Sequence, residues 1–290
     1  MPIVIKTAST STNTPVVFDF GAPVMNYVVG VAYWKFAFGG GDDHHVMRLG
    51  MTVRSNKNDK QVQSMVVANL EDAHGASIDN ANSTVRLVCI AVTVSEDTNY
   101  AMANVEGAKS GYSVGNLGLY GTSSSFEVGL LSGWNLEYVG DDHHMKRLQL
   151  QAAFAKSNNV GMLSGSAQMA DDTGKVANGS VNGGIFWGSP NQSGLLCRLL
   201  PALQTEAPVP VDFGRKIKDG AAILQELFVS FSGEDHHIKT IGGGASSWTP
   251  SGSVLTLANA RVFMTDSSGH SQDNRVSSSY VSLVAFGVPA

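Results

Sequence analysis

The sequence predicts an all-β protein, read as three tandem homologous antiparallel β-sandwich units of jelly-roll type. Three observations carry this reading. An acidic-acidic-His-His string occurs three times. Apolar residues alternate with polar ones on either side of each string. Glycine is abundant, with 32 residues, in a chain that is 43% apolar and 15% charged. Charged residues usually make up about 25% of a globular domain. A mixture of Gly, Ser, Thr, Asn and Val favours strands joined by tight turns, because branched side chains fit a pleated surface and Gly and Asn adopt turn conformations. No segment carries the 3.6-residue period of an amphipathic helix.

The strings are Asp42-Asp43-His44-His45, Asp141-Asp142-His143-His144 and Glu234-Asp235-His236-His237, with the first His residues spaced 99 and then 93 residues apart. So specific a string at near-constant pitch marks an internal repeat. Pro15 to Gly21 matches Pro208 to Gly214, with a weaker echo in Val114 to Gly121. The closing Gly lies 23, 22 and 22 residues before the first His. These landmarks place the units at 14–106, 110–204 and 207–290. A leader at 1–13 holds one strand signal and a Ser/Thr/Asn stretch expected to be mobile. Pro201 to Pro210, which includes Glu206, reads as a linker. Units of this size can bury enough surface to fold alone.

Trp34, Phe36 and Phe38 align with Trp134, Leu136 and Tyr138, and with Leu227, Val229 and Phe231. Period two with one large apolar side reads as a half-buried strand. Behind the first string Met47, Leu49 and Met51 alternate with Val46, Arg48 and Gly50. Behind the second, Lys146, Leu148 and Leu150 alternate with Met145, Arg147 and Gln149. The expected arrangement is a hairpin with each string at its bend. Farther on, Asp72 and Gly75, Asp171 and Gly174, and Asp266 and Gly269 repeat an Asp-x-x-Gly loop. Its Asp falls 27, 27 and 29 residues after the second His. In such a turn Asp caps the loop backbone and Gly takes a positive φ. Strands flank the first loop, from Val62 to Leu70 and from Val85 to Val94. Asp79-Asn80 and Asp273-Asn274 add second carboxylates that suit calcium, although the spacing is not that of an EF-hand.

The strings are the candidate site. As ligands, Asp42, Asp43, His44, His45 and their counterparts offer donors for Zn, Mn or Ni. As structure, the carboxylates accept turn amides and one His of each pair bonds a buried backbone carbonyl. Strand parity assigns the core-facing role to His45, His144 and His237 and turns His44, His143 and His236 outward. The structural role is the leading expectation. No cofactor is assigned, and a divalent metal is the one cofactor for which the strings supply ligands.

Other signals point away from several classes. Net charge is −5, and the basic cluster Arg215-Lys216-Ile217-Lys218 occurs once, so the footprint for nucleic acid is missing. No apolar run approaches about 18 residues, so no membrane span is expected. No basic, then apolar, leader marks a Sec signal peptide, which leaves location open and export by another route compatible. Cys89 and Cys197 stand at non-equivalent places and read as buried free thiols. The Asn82, Asn178 and Asn191 sequons carry little weight without a signal peptide. Gly111-Tyr112-Ser113-Val114-Gly115 fits a nucleophile-elbow pattern but no helical period follows it. The expected role is non-enzymatic: a lectin-like or toxin-component-like array binding a glycan or protein surface, with homo-oligomers expected. A self-assembling shell or filament protein and a metalloenzyme using the strings are the alternatives.

Overall fold

A computed structural model of the chain describes residues 3–93, 99–119, 123–189, 194–204, 207–273 and 278–290. Val94, Gly121, Asn191, Glu206 and Asn274, named above, lie outside the described residues. The protein is nearly all-β, with 71% strand and 1% helix. In chain order the strands are β1 (Ile3–Thr10), β2 (Pro15–Asp19), β3 (Asn26–Ala37), β4 (Arg48–Asn58), β5 (Gln61–Glu71) and β6 (Thr84–Val92). There follow β7 (Tyr100–Ala108), β8 (Val114–Gly118), β9 (Phe126–Glu137), β10 (Arg147–Ser157), β11 (Val160–Ala170) and β12 (Val176–Gly188). Last come β13 (Leu196–Leu203), β14 (Val209–Asp212), β15 (Ile217–Ser230), β16 (Thr240–Ser251), β17 (Val254–Thr265), β18 (Ser271–Asp273) and β19 (Tyr280–Pro289). A 3-10 turn at Gly39–Gly41 leads into the first string.

Two antiparallel sheets result. One has the order β1-β6-β3-β16-β17-β14, with β18 on β17. The other runs β13-β19-β15-β10-β11-β12-β9-β4-β5-β2, with β7 on β12 and β8 on β11. No described helix is long and apolar enough to cross a membrane.

The strands flanking a string do not pair with each other, so the expected hairpin is not formed. The strand after each string instead joins the aromatic strand of another: β4 pairs with β9, β10 with β15, and β16 with β3. The register is the same each time, setting Leu49 opposite Leu136, Leu148 opposite Val229, and Ile241 opposite Phe36. A hairpin needs a tight reversal between its arms, whereas each string is extended and bridged to the other strings, so its flanks diverge.

Residues 3–10, read as part of a leader, form β1 and pair with β6 from Ile3 opposite Val92 to Thr10 opposite Val85. The Ser/Thr/Asn stretch expected to be mobile is tied down: Thr10 and Thr12 are buried, and Thr10 Oγ1 donates to the Thr14 carbonyl at 2.8 Å. β7 lies almost wholly before residue 107 yet pairs with β12. In the stretch read as a linker, 201–203 close β13 and 209–210 open β14.

The apolar stripes meet as the period-two pattern requires. All nine stripe residues named above are buried in one cluster with Leu49, Met51, Leu148, Leu150 and Ile241. Trp34 and Trp134 pack with a 55° tilt at 4.7 Å between ring centroids, and Phe36 lies 5.0 Å from Trp34. A second cluster gathers Ile5, Val28, Leu130, Phe186, Ile223 and Phe286 from β1, β3, β9, β12, β15 and β19. Both thiols are free as expected; Cys89 is buried, whereas Cys197 is only partly so. Among the described residues β8, not a helix, follows Ser113.

Phe36 has 1% of its surface exposed. Phe36→Ala should therefore cost about 3–5 kcal/mol in chemical denaturation, through lost transfer energy and an unfilled cavity. A loss below about 1 kcal/mol would contradict this packing.

Candidate metal centre

Each string begins where an aromatic strand ends. Asp42, Asp141 and Glu234 are exposed at the string entrances, and Asp141 Oδ1 accepts the Asp142 amide at 2.9 Å. The strings then bond to one another in a closed cycle. His44 and Ile238 exchange both backbone hydrogen bonds, at 3.0 and 2.8 Å. Val46 and His143 do so at 2.9 and 3.1 Å, and Met145 and His236 at 2.9 and 3.2 Å. Beneath this ring of main chain Val46, Met145 and Ile238 are fully buried.

The Asp-x-x-Gly loops serve the strings. Gly75, Gly174 and Gly269 hold φ of 101°, 94° and 94°, the left-handed region that the turn signature predicts. Each loop Asp caps its own turn: Oδ1 of Asp72, Asp171 and Asp266 accepts the amide of Ala76, Lys175 and His270 at 2.7–2.8 Å. The other oxygen faces the first His of the string, with Nδ1 of His44, His143 and His236 at 3.1, 3.1 and 3.3 Å. Those three rings pack on Phe38, Tyr138 and Phe231 at 4.6–4.9 Å. Asp79 does not join Asp72 in a calcium loop. It caps a separate turn, accepting the Ala81 amide at 2.8 Å and Asn82 Nδ2 at 2.6 Å.

The second His of each pair reaches across to another string. Nδ1 of His45, His144 and His237 lies 3.1, 3.1 and 3.4 Å from a carboxylate oxygen of Asp142, Asp235 and Asp43. The remaining oxygen of each Asp accepts a loop amide, from Ala73, Asp172 and Ser267, at 2.9–3.1 Å. Burial alone would raise these three carboxyls, but the loop amide and the His ring outweigh it and hold each below the ordinary carboxylate value.

The three rings converge on a common point. Their centroids are 4.4, 4.5 and 4.6 Å apart, edge to face, and one donor nitrogen from each lies within 4.8 Å of the other two. A carboxylate facing Nδ1 favours the proton there, which makes Nε2 the ligand atom of such a ring. A zinc ion with Zn–N of about 2.0–2.1 Å would hold the nitrogens about 3.3 Å from one another, inside the 4.8 Å within which they lie. This is three borderline-soft donors, pre-oriented by carboxylates.

The parity assignment within the His pairs is reversed. His44, His143 and His236 have side-chain exposures of 29%, 24% and 22%, against 37%, 41% and 40% for His45, His144 and His237. The second His also bonds a carboxylate rather than a buried backbone carbonyl. The cause is a bend at Met47, Lys146 and Lys239, between the string and the following strand, which breaks the two-residue period. Val46 and Leu49 are both buried although their parity differs. What sequence reasoning missed is the pairing of strings with loops. The near-constant His-to-Asp spacing was its signal. All eight histidines of the chain have Nδ1 within 3.4 Å of an Asp oxygen.

Comparison with known proteins found no matching family model and no matching curated protein.

Removing Asp142 leaves the Ala73 amide and the His45 ring without their acceptor, which should cost about 1–3 kcal/mol in Asp142→Ala at neutral pH. Its folded pKa is lowered from 3.8, so this stabilisation is complete above about pH 4 and lost as pH falls through the folded value. Urea denaturation at pH 7 and below about pH 3 should show the penalty shrinking in acid. A penalty that grows in acid would contradict the assignment.

Proposed function

We propose that this chain is a non-enzymatic metal-binding β-scaffold, three homologous units fused in tandem, in which His45, His144 and His237 hold one divalent transition-metal ion. The observation that carries this reading is the convergence of three imidazoles, each with Nδ1 committed to a carboxylate. Imidazole suits Zn, Ni, Co and Cu, and carboxylate–His–metal relays raise ligand basicity while fixing the ring. Each ligand comes from a different string, so the ion would clasp segments nearly 200 residues apart. An ion that binds only the folded chain stabilises it by mass action. The common register of β4–β9, β10–β15 and β16–β3 supports the three-unit reading.

A second reading, attachment to a glycan or protein surface, is favoured by one observation. A polar groove of about 520 Å³ runs between β9, β10, β11 and β12, where Asn135, Glu137, Gln149, Gln168 and Asn178 present amides and a carboxylate that suit hydroxyl groups. Glycan-array binding lost on Glu137→Ala would support it, and silence of the array would remove it.

For the leading reading, chelator-treated protein should take up Zn²⁺ with a rise in melting temperature. His144→Ala should bind one equivalent fewer than the unaltered chain in calorimetric titration. An unchanged equivalence would contradict the assignment.

A further inference from the structure

The loop after the third string carries a residue that the other two lack. His270 stands four residues after Asp266, where the other loops place Ala76 and Lys175 after Asp72 and Asp171. Its ring stacks on His236 at 4.2 Å with a 30° tilt. Nδ1 of both rings faces the same oxygen, Asp266 Oδ2, at 2.7 Å for His270 and 3.3 Å for His236. Asp266 thus hydrogen-bonds the His270 ring and lies at ion-pair distance from the His236 ring beside it, and Nε2 of each has no hydrogen bond among the described residues. Donor atoms of His236, Asp266 and His270 all lie within 4.8 Å of one another.

The pair borders a cavity of about 430 Å³ that Glu234, Ser232 and Gln272 also line. Gln272 is 8% exposed, and its Nε2 donates to Ser232 Oγ at 3.3 Å. Its Oε1 is buried with no hydrogen-bond partner among the described residues. An unpaired buried acceptor is costly and calls for a donor in the cavity. A bare ion would not supply one, but an ion that keeps its water molecules would.

We propose that His236 and His270 form a second site, present once per chain, for a hydrated divalent transition-metal ion, with Asp266 orienting both rings. A metal-bound water donates to Gln272 Oε1, and Glu234 at the cavity rim completes the charge balance. This site is separate from the ring of His45, His144 and His237 and does not depend on it. It shares with that ring the device of a carboxylate holding Nδ1, applied here to two rings of one string and its loop.

Cobalt titration of the chelator-treated full chain, followed by visible absorption and by metal content after gel filtration, tests this. The unaltered protein should bind two equivalents of Co²⁺. His270→Ala and His270→Gln should each bind one, while His144→Ala loses the other. The His270 side chain is 58% exposed, so its replacement should leave the circular dichroism spectrum unchanged. The inference is overturned if either folded His270 variant binds as much Co²⁺ as the unaltered chain. It is also overturned if the unaltered chain binds one equivalent that His144→Ala abolishes. If His144→Ala changes nothing while His270→Ala removes one equivalent, the ring assignment fails and this site stands.

Discussion

The interaction on which the rest of the structure depends is the cyclic pairing of the three strings. Each string gives both backbone hydrogen bonds of one residue to each neighbour, so six bonds close a ring. The sheets follow from it. A string fixed on both sides by other strings cannot fold back as a hairpin, so the strand behind it must leave toward another aromatic strand. β4, β10 and β16 each do so in the same register. The packing of Trp34 on Trp134, which come from distant parts of the chain, is a consequence of that crossing.

The ring also explains where the polar groups are placed. Nearly buried carboxylates are tolerable only when hydrogen-bonded. Asp142, Asp171 and Asp266 are at most 8% exposed. Each accepts a loop amide and faces at least one imidazole. The loop carboxylates bind a string to its own loop, and the string carboxylates bind it to another string. These acids hold the facing imidazoles in place, and three of the rings meet edge to face with one nitrogen of each within 4.8 Å of the others. Metal binding at the proposed site would therefore draw on the same carboxylates as fold closure.

Much of this was legible in the sequence, and the failures have specific causes. Period-two alternation located the buried stripes from Trp34 to Phe38, Trp134 to Tyr138 and Leu227 to Phe231, because a pleated strand leaves no other way to bury one side. Asp-x-x-Gly located the positive-φ turns, since that conformation excludes most residues. Partner choice was not legible. The sequence around Leu49 favours a strand but does not say that its neighbour is Leu136 rather than Phe36. Parity failed at Met47 because one bent residue shifts the faces of everything before it, and the string lies on the far side of that bend. The role proposed for His270 could not be read without the fold, which brings its ring against His236.

Native-state hydrogen exchange at the amides of His44, Val46, His143, Met145, His236 and Ile238 tests the central claim most directly. A closed ring cannot open one pair without straining the other two, so cooperative opening should dominate. All six amides should exchange with one common free energy, close to that of global unfolding. Exchange of one string pair well ahead of the other two, while the stripe residues stay protected, would show that the strings are independent bends and would contradict the account.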